Sequence, residues 1–113
     1  MAAVYVSNIV INQGTDFSQV FNLANSSNES LDLTDHVLTS QMRKHAGSST
    51  SVNLNPVSVQ PPTLGGIEIS LTDVQTSTLK AGRYVYDIVV EDTRGIKTRV
   101  VEGSAIVREG VTR

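Results

Sequence analysis

Side chains able to do chemistry are few in this 113-residue chain, and their spacing limits what they could do together. There are two histidines, His36 and His45, and no cysteine. They stand nine residues apart at opposite ends of one expected strand, so a rise of about 3.3 Å per residue separates them by about 30 Å. A tetrahedral metal site needs ligands converging on one ion, which this pair does not offer. Thirteen serines always allow a Ser–His–Asp set to be nominated. None stands in a Gly-x-Ser-x-Gly frame, and Gly103-Ser104 falls within an expected strand. Glu91 and Asp92 are neighbours, which on a strand point to opposite faces. With Glu102 they read as charges that solvate a hairpin tip and guard a sheet edge. A surface calcium site on Asp92, or on Asp32 with Asp35, is the one metal chemistry the spacing leaves open. Gly65-Gly66 and Gly82 lack both the phosphate-loop Lys-Ser/Thr and a strand–Gly–helix setting, so they are turn glycines. Tyr84 and Tyr86 share one face with Arg83 beside them; a base-stacking platform needs flanking basic residues on that same face, and a core pair is expected instead. No catalytic, cofactor-binding or metal-ligating residue is assigned, and no cofactor is expected.

Composition agrees with that reading. Val, Ile and Thr number 16, 7 and 11, against 14 for Leu and Ala combined, which favours strands because branched side chains lose χ1 freedom in a helix but fit a pleated surface. A disulfide scaffold, a thiolate zinc module and a helical bundle are excluded. Nine Lys and Arg stand against eleven Asp and Glu, and Arg43, Lys44, Arg94, Lys97, Arg99 and Arg108 alternate with Glu91, Asp92, Glu102 and Glu109. That is a mixed-sign solvated surface and not the clustered basic excess of a nucleic-acid binder. No apolar run reaches the roughly 20 residues of a membrane helix. Residues 1–12 lack the basic start and apolar run of a signal peptide. The sequons at Asn25 and Asn28 read as turn residues, and the absence of cysteine fits assembly in a reducing cytoplasm.

The elements that would position these residues are short. Residues 4–12 read as a strand whose parity shifts at Ser7-Asn8, and residues 16–23 as a second strand with Phe17, Phe21 and Leu23 on one face. A polar connector from Asn25 to Ser30 leads to Leu31 and Leu33, then to a strand burying Leu38, Ser40 and Met42. Residues 52–59 read as one strand demoted to an edge or bulge by Pro56. Gln60-Pro61-Pro62 suggests extended, polyproline-like backbone. Ile67, Ile69 and Leu71 alternate cleanly with polar residues. Residues 72–79 are the one short helix expected, with Thr72 as N-cap, Leu71, Val74 and Leu79 packing inward, and Gly82 as C-cap. Tyr84, Tyr86, Ile88 and Val90 form a strand face, a turn with Gly95 follows, and the last strand bulges at Glu102-Gly103. The sum is an all-β, antiparallel sandwich in one domain, residues 1–113.

The stretch from Leu79 to Asp92, written Leu-x-Ala-Gly-x-Tyr-x-Tyr-Asp before a hydrophobic strand, with Gly95 and the trailing Glu102-Gly103, resembles small proteins of tailed bacteriophages and prophages. Residues 31–49 and Ile69-Ser70-Leu71-Thr72 resemble them as well, so the likeness covers about two thirds of the chain. It implies an immunoglobulin-like β-sandwich that serves as a non-enzymatic structural protein of the virion. Such a module would belong to the tail, the baseplate or a fibre attachment. The partners implied are other virion proteins, with copies in a homo-oligomer or symmetric assembly and with neither nucleic acid nor membrane. The alternatives are a capsid decoration or cement protein, and a soluble carbohydrate- or peptide-binding sandwich with Tyr84 or Tyr86 as a stacking surface.

Overall fold

The computed structural model describes residues 5–24, 27 and 29–112. The sequons at Asn25 and Asn28, and Val4 of the first expected strand, lie outside them. Among the described residues nine strands build two sheets. In chain order they are β1 (Tyr5–Val6), β2 (Ile9–Asn12), β3 (Phe17–Asn22), β4 (Val37–Arg43), β5 (Val52–Asn53), β6 (Val57–Ser58), β7 (Gly66–Leu71), β8 (Gly82–Glu91) and β9 (Lys97–Arg108). One sheet runs β1-β9-β8-β4-β5, with β2 also on β9, and the other runs β3-β7-β6. β3 and β7 pair antiparallel although more than 40 residues separate them, and the hairpin β8–β9 pairs with β4, which is a Greek-key arrangement. The sandwich is the immunoglobulin-like one. Its departure from a purely antiparallel build is at the start, where β1 and β2 run parallel to β9.

Alternation decides which side chains fill the space between the sheets. Tyr84, Tyr86, Ile88 and Val90 from β8, Ser40 and Met42 from β4, and Ile9 and Ile11 from β2 face Phe21, Ile67, Ile69 and Leu71 of the other sheet. Each such aliphatic or aromatic burial contributes about 1.5–3 kcal/mol. Ser40 is tolerated there because its hydroxyl donates to the Asp87 carbonyl at 2.7 Å.

Several local expectations are met differently. Residues 52–59 are two short edge strands in different sheets. Between them buried Leu54 donates its N–H to Ser40 O (3.0 Å) and accepts from Ser70 N–H (2.9 Å), so one residue bridges the sheets while Asn55 takes a left-handed φ of 52°. Pro61 is extended, but Pro62–Leu64 forms a 3-10 turn where polyproline backbone was expected. The helix is α1 (Asp73–Ser77), and Thr72 caps it in a full capping box with Gln75. Val74 is 70% exposed and does not pack inward; on so short a helix the inward position falls to Thr76. Thr76 Oγ1 donates to Thr15 O (2.8 Å) and accepts from Gly14 N–H (3.1 Å), which ties α1 to the β2–β3 turn. The helix C-cap is Thr78, and Gly82 instead opens β8.

The register shift of β9 falls opposite Ile88 and Val89, not at Glu102-Gly103. It leaves Val100 and Val101 both buried, as an extra residue in the strand must. Gly103 has another duty. A Cβ built on it would stand 2.0 Å from the Ser7 carbonyl oxygen, where the chain bends between β1 and β2. We expect Gly103→Ala to cost about 2–4 kcal/mol through this backbone collision, lowering the melting temperature by roughly 10 °C or more. An unchanged thermal melt would show that the bend is not held as described.

Candidate functional site

Among the described residues, two concave surfaces are considered in turn. The first lies at one end of the sandwich, between the β3–β4 connection and the β8–β9 turn, where immunoglobulin variable domains place recognition loops. It is a hollow of about 250 Å³ lined by Leu31, His36, Val90, Asp92, Arg94, Ile96, Thr98 and Val100. Buried Val90 and Val100 make an apolar floor, and half-exposed Ile96 stands on the rim. Asp92 holds the turn that shapes it. Its Oδ1 accepts from the N–H groups of Arg94 (2.9 Å) and Ile96 (3.0 Å), and its Oδ2 pairs with Arg94 at 3.0 Å. Gly95 supplies the left-handed φ of 84° that closes the turn. The Ile96 N–H first, and Arg94 after it, hold the Asp92 carboxyl below its ordinary value of 3.8. On the opposite wall His36 Nδ1 lies 2.8 Å from the Thr34 carbonyl. A carbonyl only accepts, so Nδ1 is the donor in this contact. The hollow offers an apolar floor with the His36 imidazole, the Asp92 carboxylate and the Arg94 guanidinium around it, a size suited to a side chain or two of a partner.

The second surface is the outer face of β4, β8 and β9, an open basin of about 640 Å³. Cross-strand neighbours there are Gln41, Asp87 and Glu102 in one row and Arg43, Val85 and Ser104 in the next. Arg99 Nε meets Asp87 Oδ2 at 3.2 Å, Arg43 bonds Gln41, and Arg83 bonds Ser104. The exposed Arg99–Asp87 ion pair adds about 0–1 kcal/mol to stability. Asp87 and Glu102 are neighbours across β8 and β9, with Arg99 on Asp87 and Arg43 two residues along β4 from Gln41, so the face carries charges of both signs between neutral residues.

The residues considered for chemistry are dispersed. His36 precedes β4 and His45 follows it, and among the described residues no three His, Asp or Glu side chains come together as a metal site. Asp32 Oδ1 accepts from the Thr34 hydroxyl (2.6 Å) and N–H (3.0 Å), which keeps its carboxyl low, while Asp35 sits at a left-handed φ of 58° in the following turn. Asp87 faces Arg99. Tyr84 and Tyr86 are 9% and 4% exposed, so neither ring is a stacking surface. Each hydroxyl donates to a main-chain carbonyl, Tyr84 to Lys80 (2.8 Å) and Tyr86 to Ser7 (2.6 Å). The first is the tyrosine corner of immunoglobulin-like folds, a Tyr at the start of the strand bonded four residues back. Burial pushes the Tyr86 phenol above its ordinary value of 10.0. The loop-end hollow was not read from the sequence. The turn signal at Asp92–Gly95 was the available clue, but its opposite wall is some 60 residues away in the chain.

No family model matches the chain, and no curated protein matches it. Among solved structures it is similar to a mutant SrpA adhesin from Streptococcus sanguinis, with a TM-score of 0.54 and 11% identity over 96% of this chain and 57% of that one. A second is the internalin-like protein lmo2027 of Listeria monocytogenes, with a TM-score of 0.45 and 12% identity over 95% of this chain and 28% of that one. The chain thus spans little more than half of one and about a quarter of the other. What the adhesin likeness establishes is the sandwich fold.

The Asp92 bonds give a pH dependence whose sign follows from the lowered carboxyl. A folded value below 3.8 means the turn's stabilisation is complete above 3.8 and is lost as pH falls through the folded value. Amide exchange at Arg94 and Ile96 should therefore quicken in acid below that point, beyond its intrinsic pH dependence. In Asp92→Asn the acid acceleration should vanish; equal profiles in both proteins would contradict the assignment.

Proposed function

We propose that this chain is a non-enzymatic structural module of a tailed-phage virion, working through protein–protein contacts in the tail, baseplate or a fibre attachment. The observation that carries the reading is what the residues of the resemblance do. Leu79 is buried, Tyr84 bonds Lys80, Tyr86 bonds Ser7, and Gly103 lets the first strands bend against the last. The residues that carry the resemblance are thus scaffold residues, and a scaffold signature is what a family of particle components would keep in common. The charged outer face of β4, β8 and β9 and the loop end are then the contact surfaces. Proteolysis and mass spectrometry of purified particles should find the chain at a fixed ratio to the other tail proteins. Its absence from intact particles would overturn the reading, and its presence in isolated heads alone would turn it into a decoration protein.

The loop-end hollow favours one further reading, a carbohydrate- or peptide-binding sandwich with Ile96, Arg94 and His36 as the contact residues. Tyr84 and Tyr86, being buried, have no part in it. A glycan and peptide array probed with the purified chain should then give a signal that Ile96→Ala abolishes at unchanged thermal stability, and a flat array would remove this reading.

A further inference from the structure

The free side of β3 has the chemistry of a strand-pairing site, and its residues are arranged symmetrically. Val59 N–H bonds Gly66 O (2.8 Å) and Ser70 N–H bonds Leu54 O (2.9 Å), so the even-numbered residues of β7 turn their main-chain groups away from β3. Alternation then assigns Ile67, Ile69 and Leu71 to the ladder with Phe21, Gln19 and Phe17. The N–H and C=O groups of Ser18, Val20 and Asn22 consequently face outward, where no strand lies among the described residues. Gln19 Nε2 donates to the Val20 carbonyl at 3.3 Å, a side chain covering an acceptor that the ladder leaves open.

Sheet edges are ordinarily blunted by charge, proline, bulges or brevity. β5 and β6 are two residues long, and β1–β2 is broken at Ser7-Asn8. β3 has six residues, Phe-Ser-Gln-Val-Phe-Asn, with no charge, proline or glycine, and Val20 at its middle is 43% exposed. We propose that this edge is a dimer interface, two copies pairing β3 with β3 antiparallel about a twofold axis at Val20. The occupant is a second copy because the edge is self-complementary. With Val20 opposite the partner's Val20, Ser18 falls opposite the partner's Asn22 and Asn22 opposite the partner's Ser18. All three outward pairs then become hydrogen-bonded pairs, six N–H···O=C bonds in all. On the exposed side a Val–Val contact is flanked by Ser–Asn contacts, with no like charges opposed. The nearest charge, Glu68, sits beside Val20 on β7. Three strand spacings of about 4.8 Å put the two Glu68 side chains about 14 Å apart, beyond the roughly 8 Å screening length of physiological salt. The interface is isologous and closes at two copies. It does not depend on the virion reading, since it follows from the edge alone.

Sedimentation velocity of the intact chain from micromolar to millimolar concentration tests it. Wild type should move from a monomer to a dimer boundary. Val20→Lys, which sets two ammonium groups opposite one another, should lose the dimer, as should Val20→Glu. An equimolar mixture of the two should regain it, while Val57→Lys on the far edge of the same sheet should behave as wild type. A wild-type chain that stays monomeric throughout overturns the proposal without reference to any variant. A Val20→Lys dimer as strong as wild type, or a mixture that stays monomeric, overturns it equally.

Discussion

A carbonyl oxygen occupies the place where residue 103 would carry its Cβ, and much of the sandwich depends on that contact. The Ser7 oxygen reaches it because β1 and β2 bend between Val6 and Ile9, with Ser7 N–H on the Glu102 carbonyl and Asn8 Oδ1 on the Ser104 N–H. Tyr86, directly opposite Gly103 across the β8–β9 ladder, lays its ring along the gap and closes it by donating to the same Ser7 oxygen. The glycine, the tyrosine and the bend are thus one unit. The glycine makes room, the bend fills the room with a polar atom, and the tyrosine satisfies that atom at the edge of the apolar layer.

Main-chain carbonyls at the corners are served in the same way. Tyr84 reaches Lys80, Thr76 reaches Thr15, and Gln13 donates to Leu79 while accepting from Gly110. These polar side chains are engaged in joining one sheet, or one turn, to the next. The surfaces left to interact are shapes: a hollow framed by two loops, a face of mixed charge and an unblunted edge. Loops and edges carried on a rigid framework are what recognition by a small sandwich ordinarily uses.

The C-terminal half was the more legible part of the sequence, for a physical reason. From Ile67 onward the clean alternation, the Thr72 cap and the Gly95 turn each speak for local structure, although β7 and β8 also pair with β3 and β4 far back in the chain. The β8–β9 pair is a hairpin whose turn announces itself. The N-terminal strands pair with β9 about 96 residues away, and no local pattern encodes that their partner is parallel. Residues 52–59 carried the signals of one edge strand, because neither Asn55 nor Pro56 says that the chain is changing sheets. Val74 was misjudged since a five-residue helix has too few turns for an apolar residue to mark its inner side. The pairing of Tyr86 with Ser7 needed knowledge of where the first strand lies, so only its burial could be anticipated. The walls of the loop-end hollow were hidden likewise by chain distance.

The parallel placement of the first strands beside the last also sets how the domain bears a load. β9 has twelve residues, about 40 Å at strand rise, close to the 44 Å length of the molecule. Tyr5 lies beside Val101 and Asn12 beside Arg108, so the chain enters toward one end of this ladder and leaves at the other. Tension drawn between those ends runs along the strands. It shears the β2–β9 hydrogen bonds all at once, where an antiparallel pair pulled from neighbouring ends would peel open one rung at a time. The fold is thereby stiffest in the direction in which its own chain passes through it.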